Sequence, residues 1–103
     1  MHVRIMTAQI RPGKIDETIQ LYRDLVGPTV GRQPGFKGTL LLIDRSTCKS
    51  ILITLWETEA DLWASERSGF YQQQIAQIAE FLASTPAREV YEVGTHALER
   101  GAS

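Results

Sequence analysis

Three large aromatic side chains recur at intervals of seven residues, at Trp56, Trp63 and Phe70. A spacing of seven returns to the same face of an α-helix, so Trp63 and Phe70 predict an aromatic row on one helical face. Trp56 ends a run of alternating residues, where its indole offers a flat apolar surface for stacking on an aromatic substrate. The same pattern is typical of a packed core. Each of the three is therefore either a substrate-binding residue or a core residue.

Three polar side chains have types suited to catalysis or anion binding. Tyr22 lies on the apolar face of the first predicted helix, so its hydroxyl could bind or protonate a substrate oxygen, or be a half-buried hydroxyl satisfied by water or backbone. Arg67 could polarise a carbonyl or hold a phenolate, or lie on the surface. Arg4 lies on a strand, either in a pocket with an anion or at the sheet edge. We take Tyr22 and Arg67 as candidate catalytic residues and Arg4 as a candidate substrate-binding residue.

The sequence lacks the residues that several other kinds of site require. The two histidines, His2 and His96, lie near opposite ends of the chain, and Cys48 is the only cysteine. The sequence therefore predicts no histidine-based triad, no cysteine-based zinc site and no internal disulfide. Ser65 has no Asp or His nearby and no G-x-S-x-G elbow. We expect no metal site.

Composition and charge narrow the class of protein further. Eleven Lys and Arg against twelve Asp and Glu give a formal net charge of −1, which indicates neither nucleic acid nor an anionic membrane as partner. With 103 residues, 43% of them apolar, the chain suits one domain, which we place at residues 1–96, with 97–103 as a flexible tail. The lack of a signal-like or membrane-spanning apolar segment and the single cysteine predict a cytoplasmic location.

Apolar periodicity predicts the elements that position these side chains. Alternation predicts strands over 3–9, 36–43, 50–56 and 89–93. Helical spacing predicts one helix over 15–30, stopped or kinked at Gly27-Pro28, and a second helical region from about residue 59 to 84, divided at Ser68-Gly69. The order strand, helix, strand, strand, helix, strand predicts a ferredoxin-like α+β fold, with a four-stranded antiparallel sheet and both helices on one face.

The second face of this sheet has no helix to cover it. In strand 50–56 both faces are apolar, one carrying Ile51, Ile53 and Leu55 and the other Leu52, Thr54 and Trp56. Whichever face lies away from the helices would expose a large apolar patch to water. A two-fold homodimer is the commonest way to cover such a face, so we expect a homodimer.

The motifs around Trp56 resemble those of the antibiotic biosynthesis monooxygenase (ABM) family of dimeric α+β barrels. The strand ends in W-E-T, the next helix opens with acids and continues as A-S-x-x-S-x-F, and the last strand reads V-Y-E-V. R-P-G-K at 11–14 and Q-P-G-F at 33–36 match the two turns of the family, and the resemblance covers nearly the whole chain. It implies a homodimer joined by the open sheet faces and a pocket between sheet and helices.

Members of that family differ in chemistry, and this chain matches their functional positions unevenly. Some members oxidise aromatic or quinol-type substrates with molecular oxygen and no bound metal or flavin; others degrade haem or isomerise small metabolites. Trp56 occupies the family's strand-three tryptophan. Ser65 and the stretch Gln72–Gln74 stand where family enzymes carry a helical His. Thr54 replaces an acid, Gln33 replaces a Glu, and Met6 replaces the Asn of the first strand. The resemblance therefore does not imply haem degradation.

The resemblance and the aromatic residues together predict a cofactor-independent monooxygenase acting on a small aromatic, quinol or polycyclic substrate. Two alternatives stay open: a non-catalytic small-ligand-binding or interaction protein on the same dimeric barrel, and a small-metabolite isomerase. A monooxygenase needs a pocket that an ionisable group reaches. In an interaction protein, Trp63, Phe70 and Tyr71 could fill that pocket.

Overall fold

Four strands form one antiparallel sheet in the computed structural model, which describes residues 1–97. The strands are β1 (His2–Gln9), β2 (Phe36–Asp44), β3 (Lys49–Trp56) and β4 (Ala87–Glu92). They lie in the order β2-β3-β1-β4, and every neighbouring pair is antiparallel. The predicted ferredoxin-like α+β fold is confirmed.

Two helical regions connect the strands. The first consists of α1 (Ile15–Leu21), a π-helical turn (Tyr22–Val26) and α2 (Gly27–Val30). The second consists of α3 (Glu59–Arg67), α4 (Phe70–Ile78) and a 3₁₀ turn (Ala79–Phe81). Within residues 1–97, no helix is long and apolar enough to cross a bilayer.

The predicted kink at Gly27-Pro28 takes the form of the π-helical turn. Pro28 has no N–H to donate to the carbonyl four residues earlier, and its ring crowds that carbonyl. The N–H of Gly27 instead donates to the carbonyl of Tyr22, five residues back. π-Helical turns of this kind are frequent at functional sites, and this one begins at a candidate catalytic residue.

The second helical region begins and divides where the sequence predicts. Thr58 caps α3, because its Oγ1 accepts a hydrogen bond of 3.0 Å from the backbone N–H of Asp61. Gly69 has a φ of +83°, a left-handed conformation that glycine adopts without strain, and it separates α3 from α4.

Two predicted boundaries are wrong near the end of the chain. The helix ends at Phe81 rather than 84, and β4 begins at Ala87 rather than 89. Leu82 is extended and pairs with Ile10 just beyond β1, and Ala83 N–H donates to the carbonyl of Gln9. This contact with β1, which local periodicity does not reveal, ends the helix early. Of the predicted tail, residues 98–103 lie outside the described part of the chain.

The structure decides which face of β3 the helices cover. Leu52, Thr54 and Trp56 are buried on the helix side. Their alternate neighbours Ile51, Ile53 and Leu55 lie on the open side and are only partly buried. On β2 the open face continues with Leu40, 57% exposed, and Leu42, 45% exposed. The uncovered apolar face is therefore the isoleucine row.

Candidate functional site

A buried guanidinium lies on the helix side of the sheet. Arg4 is 2% exposed, and its Cζ lies 4.4 Å from the centroid of the Tyr71 ring and 5.5 Å from that of Trp56. Strand alternation turns Arg4 to the same side as Met6, and α4 places Tyr71 over it. A cation between two aromatic faces is stabilised by their quadrupoles, more strongly when water is excluded. Arg4 lies on an inner strand rather than at the sheet edge, and it is buried without being among the residues that line the cavity described below.

Charged and hydroxyl groups satisfy this guanidinium on its α3 side. Nη1 of Arg4 donates a 3.0 Å hydrogen bond to Ser65 Oγ and lies 3.4 Å from Glu66 Oε2. The other carboxylate oxygen of Glu66 pairs with Arg88 of β4. Burial lowers the pKa of Arg4, and Glu66 opposes that shift. An arginine pKa starts so far above neutrality that the side chain keeps its charge. Two cations share one carboxylate, so the cluster carries a net charge of +1.

The hydroxyl of Ser65 is not available as a nucleophile in this arrangement. Its hydroxyl donates a 2.7 Å hydrogen bond to the carbonyl of Leu62 and accepts from Arg4. With its proton committed to the helix backbone and no base in contact, the hydroxyl is a positioning group for the guanidinium.

An apolar cavity lies beside the Arg4 cluster, between the sheet and the helices. Its volume is about 20 Å³, which is room for about one water molecule. A ring-sized ligand enters only if side chains over the cavity move. The lining residues come from β1, the first helical region, β2, β3, α4 and the residue after the second helical region: Met6, Ala8, Thr18, Tyr22, Leu41, Ser50, Leu52, Ile78 and Leu82.

Tyr22 lines this cavity and holds its hydroxyl against β2. Its Oη lies 2.6 Å from Thr39 Oγ1, and Thr39 Oγ1 donates to the carbonyl of Ile53 at 3.0 Å. Since Thr39 has a single hydroxyl proton, Tyr22 is the donor in their shared bond. Burial raises the pKa of Tyr22, and the bond to Thr39 partly opposes the shift. Tyr22 is therefore neutral at pH 7 and suited to donate or accept a hydrogen bond rather than to act as a base.

Replacing Tyr22 with phenylalanine is expected to flatten the loss of stability at alkaline pH. The folded-state pKa of Tyr22 is raised above the ordinary tyrosine value of about 10. Above pH 10 the unfolded chain releases this proton before the folded protein does, so the free energy of unfolding falls as the pH rises through the folded pKa. Urea unfolding between pH 8 and pH 11 measures the slope. Equal slopes in both proteins would contradict the prediction.

The other candidate residues do not line the cavity. Trp63 and Phe70 are half-buried and pack against the buried side chains of Val30, Trp56 and Leu62. Arg88 lies over the Trp63 ring at 5.4 Å. Arg67, the last residue of α3, is exposed. The structure thus brings Arg4 and Trp56 together and leaves Arg67 apart; the roles of all six candidates stay predictions.

Sequence reasoning gave no binding role to four residues near the site, naming Tyr71 only as a possible pocket-filling residue and Gln74 only within Gln72–Gln74. Tyr71 and Gln74 share the buried face of α4 with Ile78, and the spacing 71, 74, 78 is a helical signal that could have found them. Glu66 and Arg88 had no comparable signal, because their pairing joins a helix to a strand that is distant in sequence. Among residues 1–97, no three His, Cys, Asp or Glu side chains group as metal ligands.

Comparison with known proteins places the chain among related sequences. The sequence model of the family described as "Antibiotic biosynthesis monooxygenase" matches residues 1–83. An uncharacterised Mycobacterium tuberculosis protein, Rv2557, is 32% identical over 97 residues, which are 90% of this chain and 41% of that protein. The chain therefore spans about two fifths of the length of the curated relatives it matches.

Solved structures share the fold at lower sequence identity. A Nitrosomonas europaea protein superposes with a TM-score of 0.75 at 19% identity, covering 92% of this chain and 100% of that one. SnoaB from Streptomyces nogalater, described as a cofactor-independent oxygenase and solved as a point mutant, superposes with a TM-score of 0.74 at 17% identity, covering 95% of this chain and 97% of that one. At these identities the likeness concerns the fold alone.

Proposed function

The chain belongs to the antibiotic biosynthesis monooxygenase family, and from that membership we propose that it is a cofactor-independent monooxygenase acting on a small aromatic, quinol or polycyclic substrate. The observation that carries this proposal is the buried guanidinium of Arg4, which lies between the rings of Tyr71 and Trp56 next to an apolar cavity. Such a site favours the anion of a flat, ionisable ligand over its neutral form.

The fixed charge of Arg4 would make a phenolic substrate more acidic. Arg4 and the cavity-lining Met6 point to the same side of β1, and alternate residues on a strand are about 7 Å apart. At that distance an isolated unit charge near a protein surface stabilises an anion by about 2 kcal/mol, and this is an upper bound because the Glu66 carboxylate, 3.4 Å from Arg4, opposes the effect. Tyr22 would donate a hydrogen bond to the substrate oxygen after leaving Thr39.

The chemistry then needs only the anion and molecular oxygen. The anion passes one electron to oxygen, and the resulting radical and superoxide combine through a new carbon–oxygen bond. The hydroperoxide formed in this way loses water: its oxygen–oxygen bond breaks, one oxygen remains as the new carbonyl, and the other leaves with the ring proton and the original phenolic proton. The protein excludes bulk water and holds the anion.

Oxygen consumption by the chelator-treated protein tests this function on a panel of hydroquinones and phenols. We expect uptake with at least one substrate, and a loss of tenfold or more in Tyr22→Phe and in Arg4→Lys, which keeps the charge but not the planar fork. Arg23→Gln, which changes an exposed arginine of the first helical region, is the matched control. No uptake on any substrate would overturn the proposal.

The small cavity favours one other function, that of a non-catalytic interaction protein. With room for about one water, the resting site is closed to a ring-sized molecule. Tyr71, one of the side chains able to fill a pocket, is buried against Arg4. A protein that neither binds phenols nor takes up oxygen with them would support this alternative.

We also propose that the active form is a cytoplasmic homodimer joined through the open sheet face. Leu40 and Leu42 leave a large apolar area in water, and a second copy would cover it. Sedimentation equilibrium at micromolar concentration is expected to give twice 11.5 kDa. Leu42→Lys should shift the protein towards 11.5 kDa, because a charge would be buried without a partner. A wild-type monomer would contradict the dimer.

A further inference from the structure

A buried amide nitrogen beside the candidate site has no hydrogen-bond partner. Gln74 lies on α4 and is 7% exposed, and its Nε2 finds no acceptor among residues 1–97. A buried donor left without an acceptor costs the full desolvation of that group, so buried amides of this kind are rare in native structures. The adjacent Gln72 and Gln73 are exposed. The polar composition of the segment therefore does not explain why this one amide points inward.

The position of Gln74 links the positive cluster to the cavity. Residues three and four apart are neighbours on a helix surface, so Gln74 lies between Tyr71 and Ile78 on the buried face of α4. The Tyr71 ring covers the guanidinium of Arg4 at 4.4 Å. Ile78 lines the cavity. A ligand that occupied an enlarged cavity and reached towards Arg4 would pass the Gln74 amide.

We propose that Gln74 binds the substrate, its Nε2 donating a hydrogen bond to a carbonyl or hydroxyl oxygen of an aromatic ligand. This assignment rests on the proposed function and deepens it by naming the group that orients the substrate. A neutral N–H can donate a hydrogen bond to a phenolic oxygen or to a quinone oxygen, so the contact is available before and after the substrate is oxidised. A hydrocarbon of the same shape gains nothing from it, because it offers no acceptor.

Binding of two ligands of matched shape tests the assignment. Equilibrium dialysis gives the Kd of 2-naphthol and of 2-methylnaphthalene, which differ by a hydroxyl in place of a methyl group. Gln74→Met keeps the length of the side chain and removes the amide. We expect it to weaken 2-naphthol binding about tenfold and to leave 2-methylnaphthalene binding unchanged. Gln73→Met, on the exposed side of the same helix, should change neither Kd.

Thermal unfolding without ligand gives a second, independent readout. Because the amide lacks a partner in the free protein, Gln74→Met is expected to raise Tm by a few degrees. A lower Tm would mean that a partner such as a buried water satisfies the amide, and would overturn the assignment. Unchanged 2-naphthol affinity, an equal loss for both ligands, or no binding of either ligand by the wild-type protein would also overturn it.

The two proposals fail separately in these measurements. If Gln74→Met weakens the binding of 2-naphthol alone but no phenol or hydroquinone supports oxygen uptake, the proposed monooxygenase activity is wrong and the contact between Gln74 and the ligand stands. If uptake occurs and Gln74→Met treats both ligands alike, the monooxygenase stands and Gln74 has no part in binding the oxygen.

Discussion

Replacing Trp56 with alanine is expected to lower the free energy of unfolding by about 4 kcal/mol, because the indole is fully buried and truncation leaves a large cavity. The indole packs edge-on against Phe36, with ring centroids 5.8 Å apart, and its Nε1 donates to Thr54 Oγ1 at 3.1 Å. The substitution removes both contacts and the ring beneath Arg4. Since domains of this size have a total stability of about 5–15 kcal/mol, the variant should be close to unfolding.

Urea unfolding at pH 7 measures this loss. Trp63→Ala is the matched control, because that indole is only half-buried and should cost clearly less. A loss of less than about 1 kcal/mol in Trp56→Ala would contradict the packing described here. The expected instability also means that lost oxygen uptake in Trp56→Ala would not separate substrate contact from unfolding. Trp56→Phe retains a buried aromatic ring and is the better variant for activity measurements.

Replacing Arg4 with methionine is expected to lower the free energy of unfolding by about 3 kcal/mol. The change removes the cation that faces Glu66 in a water-poor environment and both guanidinium–ring contacts. Glu66→Gln should cost about 2 kcal/mol for the converse reason, since Arg4 is then buried without its carboxylate. The double variant should cost about 2 kcal/mol less than the sum of the two single variants, because neither charge is left without the other.

The double-mutant cycle is measured by urea unfolding of the four proteins under one set of conditions. Arg88 also pairs with Glu66, and the substitution Arg88→Gln serves as a control because it removes this more exposed ion pair. The Arg88 side chain is 40% exposed, so the ion pair between Arg88 and Glu66 should contribute less to the free energy of unfolding than the pair between Arg4 and Glu66. Additive costs in the double variant would show that Arg4 and Glu66 are not coupled.

The residues with the strongest claim to function also hold the fold together. Trp56 and Arg4 belong to the core on the helix side of the sheet, whereas Tyr22 reaches the cavity from a π-helical turn. Conservative variants at Tyr22 and Gln74 therefore separate activity from stability better than truncations at Trp56 or Arg4. In the proposed function, the charge of Arg4 would act on a ligand while the guanidinium stays between the rings of Tyr71 and Trp56.

The amino-acid sequence by itself determined the order and type of the elements. Alternation and helical spacing are local signals, set by which side chains share a face, and they predict the strands and helices to within a few residues. The Thr58 cap and the division at Gly69 are local as well. Strand alternation also places Arg4 and Met6 on one side of β1. The family resemblance then adds the expected pocket and dimer.

Only the tertiary structure decided what surrounds each candidate residue. Both faces of β3 are apolar, so periodicity alone leaves open whether Trp56 or the isoleucine row is covered by helices. The partners of Arg4 are 61 and 62 residues away along the chain, and no local pattern encodes a pairing over that separation. The early end of the second helical region follows from the contact of Leu82 with Ile10. The small cavity and the unpaired amide of Gln74 arise because helices and sheet pack together, and side-chain fit between distant segments is a property of that packing.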